Sequence, residues 1–116
     1  MYTVNGKTYP CCTSVTMGII GGKWKTVILF QLLEGELRYN QLRKSMMTVT
    51  ERTLSLQLKA LESDGVIDRR VEGNKAPFKV SYRLTSFGET LAPVITAIAH
   101  WGDFAVKHTS EKPQEA

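Results

Sequence analysis

The sequence has little of what most active-site chemistry requires. It has two histidines, His100 and His108, both near the C-terminus, and two cysteines, Cys11 and Cys12, side by side. Cys-x-x-Cys and His-Glu-x-x-His motifs are absent, and Gly21-Gly22 lacks the strand–loop–helix setting of a phosphate cradle. An enzyme is therefore not expected, nor is a cofactor. Adjacent cysteines exclude the spaced disulfide framework of a small secreted domain. They are also poorly placed to bond to each other, because successive Cα atoms lie about 3.8 Å apart where a disulfide usually needs roughly 4.4 Å. Long apolar runs are missing too. Stretches such as Val27 to Phe30 fall far short of a membrane span, and no basic segment followed by an apolar run opens the chain. A soluble cytoplasmic protein with no membrane partner is the expectation.

With four prolines, no Pro/Ser/Gly-rich linker and no internal repeat, the chain reads as one domain. The expected division is an N-terminal arm over residues 1–12, a folded domain over 13–108 and a disordered polar tail over 109–116. Apolar content of 42% against 22% charged residues suits a globular core, and a chain of this length buries roughly two-thirds of its unfolded surface. The net charge of +4 admits an anionic partner.

Val15, Met17, Ile19 and Ile20 predict a short helix ending at Gly21-Gly22. Trp24, Val27, Ile28, Gln31 and Leu32 predict a second that stops at Gly35. Leu37 to Tyr39 fits only a small strand or connector, and Leu42 with Met46 gives a third helix of about two turns. The fourth begins at one of two caps: Thr48 with Glu51 makes a capping box, and Thr50 alone can serve. It carries Leu54, Leu58 and Leu61 at i, i+4, i+7 and ends at Asp64-Gly65. The period then changes to two. Phe78, Val80, Tyr82 and Leu84 alternate with Lys79, Ser81 and Arg83, predicting a strand with a polar outer face. Val66 to Glu72 is its partner across a turn at Gly73 to Pro77. Thr85 or Ser86 opens a long helix through Leu91, Ile95, Ile98, Trp101 and Phe104, which Pro93 should bend.

Two helices joined by a tight turn and followed by a hairpin form the winged helix-turn-helix, a mainly α fold with a small β-hairpin. With the leucine stripe turned inward, Arg52, Leu56 and Lys59 point outward, with Thr53 and Ser55 beside them. Such a face can donate to guanine and phosphate oxygens and meet a thymine methyl group. Arg38 and Arg43 lie near the preceding helix, where this fold crosses the DNA backbone, and Asn74 and Lys75 at the hairpin tip; Arg69, Arg70, Lys79 and Arg83 add charge on the strands. The expected partner is double-stranded DNA. The apolar face of the last helix needs a partner of its own.

Cys11, Ile20-Gly21-Gly22-Lys23-Trp24, Arg38-Tyr39-Asn40-Gln41-Leu42, Thr50-Glu51-Arg52-Thr53-Leu54-Ser55, Asp64-Gly65 and Tyr82-Arg83-Leu84-Thr85 together resemble the HxlR-type family of bacterial and archaeal regulators, from Cys11 to Gly102. The resemblance implies a homodimer paired through the N- and C-terminal helices, with Val15, Ile19, Leu91, Ile95, Ile98 and Trp101 as interface candidates. It further implies a two-fold symmetric operator, read by a recognition helix over about 50–64 and a wing over about 66–84. Some relatives respond to oxidants or electrophiles through the cysteine at the position of Cys11. At the start of a helix a thiolate is favoured. The family usually has Cys-Pro where this chain has Cys11-Cys12, and often an acidic residue where Ser81 stands. Two rivals differ in kind. A protein-docking module would present a more apolar surface. A metal-responsive regulator would need further ligands beside Cys11, Cys12 and a histidine.

Overall fold

In the computed structural model residues 1–109 are described, so the expected tail falls outside the described residues apart from Thr109, which is helical. The first departure from expectation is the N-terminal arm. Asn5 and Gly6 both have positive φ, +50° and +78°, the pair of conformations that closes a two-residue hairpin with the right twist. They join β1 (Tyr2–Val4) to β2 (Lys7–Tyr9) with Val4 opposite Lys7. Three-residue strands are too short to display alternation, so the Asn-Gly dipeptide was their one signal. An isolated ribbon this small is marginal. It is held by Tyr9, which lies so close to Gly18 that an added Cβ would come 2.6 Å from the phenol oxygen, and by Asn5 Nδ2, which donates to Asp64 Oδ1 at 3.0 Å.

Helix α1 (Cys12–Ile20) follows with Cys11 as its N-cap, and α2 (Lys25–Leu32) begins after Trp24. Strand β3 (Leu37–Arg38) leads directly into α3 (Tyr39–Ser45). Met47, at φ +35°, turns the chain so that Val49 is buried, and α4 (Glu51–Ser63) starts at Thr50 rather than Thr48: Thr53 N–H donates to Thr50 Oγ1 at 3.1 Å. Asp64 and Gly65 end it as expected. Leu54, Leu58 and Leu61 are at most 1% exposed, forming the centre of a core shared with Ile28, Leu29, Leu42 and Ile67.

Strands β4 (Ile67–Glu72) and β5 (Lys79–Leu84) make the expected hairpin, but the sheet has three strands in the order β3-β5-β4. Leu37 pairs with Tyr82 and Arg38 with Ser81, so the small connector is an edge strand and β5 is central. This corrects two expectations about β5. Ser81, placed on a polar outer face, is 8% exposed because Glu36 covers it. Phe78, placed in the inward row, is half exposed, since the hairpin there has run past the core.

The last helix is also divided. Thr85 caps a single turn, α5 (Ser86–Glu89), by accepting from Gly88 N–H at 2.9 Å. Then α6 (Ala92–Thr109) begins afresh. Pro93 therefore sits in the first turn of a helix, where its missing N–H costs nothing, and bends no continuous one. Gly88 is required by contact: a Cβ there would come 1.9 Å from the Val66 carbonyl oxygen. None of the helices among the described residues is long and apolar enough to cross a membrane.

Candidate nucleic-acid interface

Burying the leucine stripe of α4 presents Arg52, Ser55, Leu56 and Lys59 to solvent. The wing stands beside this face. In an antiparallel pair, residues opposite one another share a side of the sheet, so Arg69 with Tyr82 and Val71 with Val80 form one surface, and Asp68 with Arg83 and Arg70 with Ser81 the other. The first surface, the start of α3 and the outer face of α4 enclose an open groove of about 810 Å³. Arg38, Lys59, Arg69 and Lys79 border it with the single acid Glu62, and Tyr39, Val80 and Tyr82 contribute its less polar lining. Burial pushes the Tyr82 phenol up, with the neighbouring Arg69 partly opposing, so at neutral pH it remains a hydrogen-bond donor.

Arg38 is the N-cap of α3, its own N–H donating to Gln41 Oε1 at 2.8 Å. Ser55, Leu56 and Lys59 line the groove, and Leu56 is 52% exposed. Arg52 is exposed in the first turn of α4, and Asn74 and Lys75 are exposed at the wing tip. Thr53 is half-buried, with its hydroxyl accepting from Thr50 Oγ1 at 3.0 Å, so the cap already engages it. Arg43 reaches across to Glu51 at 2.7 Å, an exposed pair that links the helix-turn-helix and leaves other guanidinium N–H groups available.

The wing cations sort themselves. Arg70 pairs with Glu36 and Glu72, and Arg83 with Asp68, on the surface away from α4. Arg69 makes no ion pair among the described residues and faces the groove; Lys79, also without one, pairs with Glu72 in the register and so belongs to the Ser81 side of the sheet, although it borders the groove as well. Asn40, Tyr39 and Tyr82 were not singled out as site residues. Their place follows from the pairing of β3 with β5, which no local sequence signal announces.

Comparison with known proteins shows the family and the fold. The model of the HxlR-like helix-turn-helix family matches residues 19–110. The chain belongs to that family. YdeP of Bacillus subtilis strain 168, an HTH-type transcriptional regulator, is 48% identical over 93 residues, covering 80% of this chain and 72% of its own length. Among solved structures, the redox regulator HypR in its oxidized form is 40% identical with a TM-score of 0.75, covering 80% of this chain and 95% of HypR. Its reduced form is 35% identical with a TM-score of 0.79, covering 90% and 100%. These similar proteins are named as regulators and not as enzymes. This HxlR-like chain is a winged helix-turn-helix transcriptional regulator.

Two further regions of the HxlR-like chain bear on its function. Ser14 Oγ lies 3.6 Å from Cys11 Sγ and 3.3 Å from Cys11 N. Hydrogen bonds from the Ser14 side chain and backbone hold the Cys11 thiol below its ordinary pKa, against a smaller opposing effect of desolvation. Both cysteines are exposed and free. Among the described residues no cluster of three or more His, Cys, Asp or Glu is arranged to hold a metal ion. Along α6, Val94, Ile98, Trp101 and Phe104 are exposed, Trp101 by 68%. Of the dimer candidates, Val15, Ile19 and Leu91 are half-buried. Ile95 is 1% exposed inside its own protomer's core, which leaves it nothing to offer a partner. Met17 and Phe30, which the sequence reading did not nominate, are exposed apolar residues on α1 and α2.

Proposed function

We propose that this HxlR-like regulator acts in the cytoplasm as a homodimer on a two-fold symmetric operator, with α4 in the major groove and the β4–β5 wing on the adjacent backbone or minor groove. The groove carries this reading: Lys59 and Arg69 face it, Arg38 and Lys79 border it from the edge of the sheet, and Glu62 is the one acid in its lining, a surface that suits a polyanionic backbone. Arg52 and Lys59 are the candidates for base or phosphate contact, Ser55 and Thr53 for hydroxyl contacts, and Leu56 for a thymine methyl group. Arg38, Arg43, Asn74 and Lys75 meet the backbone. A protein-docking module would present a mainly apolar surface here; Leu56 and Phe78 are exposed in the groove but stand among its cations, and the exposed apolar residues Met17, Ile98 and Trp101 on α1 and α6 supply the dimer contact.

The test is selection from random-sequence duplexes with the full chain at physiological salt. The expected winner contains inverted half-sites whose centres lie about 34 Å apart, or a multiple of that. Failure to enrich any duplex overturns the reading.

Cys11 is the sensing thiol in this proposal. Support comes from its lowered pKa at the head of α1 and from the similarity to HypR, whose solved forms are named as oxidized and reduced. A two-electron oxidant such as diamide converts Cys11 into a disulfide with a second thiol, across the dimer or from a small molecule. Titration with diamide should change the affinity for the selected duplex in the parent and leave Cys11→Ser unaffected. Complete thiol modification with unchanged affinity rejects the switch.

A further inference from the structure

One carboxylate outside the groove ties the wing to the helix-turn-helix. Glu36 stands between Gly35, whose φ of +141° turns the chain out of α2, and β3, which opens directly into α3. Its carboxylate accepts a hydrogen bond from Ser81 Oγ in β5. Its Oε1 lies 3.6 Å from an Arg70 guanidinium nitrogen in β4, and Arg70 also reaches Glu72 at 2.9 Å. A single side chain thus touches both wing strands, on the surface opposite the groove. The base of the wing is held in the core by Ile67 and Tyr82, but β3 adds only Leu37 and Arg38 to the sheet, and residues 68–79 are exposed throughout. Ser81, at 8% exposure, would lose the acceptor for a buried hydroxyl if Glu36 were removed, a loss that costs more than an exposed contact would.

We propose that Glu36 is a positioning residue that sets the angle of the wing to the recognition helix, and thereby where Lys75 meets the DNA. The inference rests on the DNA-binding reading above for its consequence, but its mechanical half concerns the free protein alone. Without Glu36 the exposed outer part of the wing is held only from its base at Ile67 and Tyr82 and by the two residues of β3, and local opening of the hairpin becomes easier while the helical core stays closed.

Two measurements on the full chain separate this from a general stabilising role. The first is amide hydrogen exchange of the free protein. Glu36→Ala is expected to speed exchange in β4 and β5 about tenfold and leave α2 and α4 unchanged, and Glu36→Gln, which keeps an acceptor for Ser81 but loses the charge facing Arg70, to fall between. Unchanged wing exchange, or an equal rise in α2 and α4, overturns the proposal. The second is a double-mutant cycle with Lys75→Ala on the highest-affinity duplex from the selection. Lys75→Ala should weaken binding several-fold in the parent and much less in the Glu36→Ala background, whereas Arg52→Ala should have the same effect in both. Strict additivity of Glu36→Ala with Lys75→Ala overturns it. Exchange requires no DNA, so failure of the DNA-binding reading leaves the first measurement decisive.

Discussion

Helices α4 and α6 are built to the same plan on one side and opposite plans on the other. Each buries a face in the common core, α4 through Leu54, Leu58 and Leu61 and α6 through Ile95. Outward, α4 shows Arg52, Ser55, Leu56 and Lys59, and α6 shows Val94, Ile98, Trp101 and Phe104. The inward faces answer only to packing, so they report that each helix belongs to the fold. The outward faces answer to whatever meets them. A cationic face beside a basic wing suits a polyanion; an apolar face costs free energy in water and suits another apolar surface.

The largest effects should come where the two helices are alike. Leu58→Ala and Ile95→Ala should each destabilise the fold by about 2–5 kcal/mol, read from urea unfolding. A much smaller loss for Ile95→Ala would mean that α6 is docked less firmly than its 1% exposure implies. The outward faces should then separate. Trp101→Asp should leave the helical circular dichroism signal intact and shift the protein toward monomer in sedimentation at micromolar concentration. An unaltered dimer would remove α6 from the interface and break the contrast. Lys59→Ala should weaken duplex binding by about 1–3 kcal/mol without changing the oligomeric state. If Lys59 meets a phosphate, the slope of log affinity against log salt should also fall by about 1. Equal binding by the parent and by both Arg52→Ala and Lys59→Ala would misplace the reading face. The smallest effect belongs to the start of α4: Thr50→Ala should cost about 1 kcal/mol of stability, and no loss of stability would favour the cap at Thr48 instead.

Proline illustrates how local residues and packing divide the decision. Pro93 is incompatible with a helix interior on either reading. Whether it kinks one helix or opens another was settled in the tertiary structure, where α5 (Ser86–Glu89) packs Gly88 against the Val66 carbonyl and α6 starts separately at Ala92. The N-terminal hairpin was legible in Asn5-Gly6, a signal that a polar segment of only ten residues obscured. Arg43 was legible as a cation near the DNA-facing helix, but its pairing with Glu51 belongs to the angle between α3 and α4.

By itself the sequence determined the periodic elements: the leucine stripe of α4, the two-residue alternation of β5, the caps and turns, and with them the winged helix-turn-helix and the outward cations of the recognition helix. These depend on residues a few positions apart, whose side chains face the same way because the backbone repeats. Tertiary structure decided what depends on partners distant in the chain. It made β5 central by pairing it with β3, drew Glu36 over Ser81 from 45 residues away, and assigned Ile95 to the core while leaving Trp101 exposed. It also divided the wing arginines between a neutralised surface and the groove. A charge in the sequence has a sign but no neighbours, and only the register Arg69 to Tyr82 and Arg70 to Ser81 says which guanidinium an anion can reach.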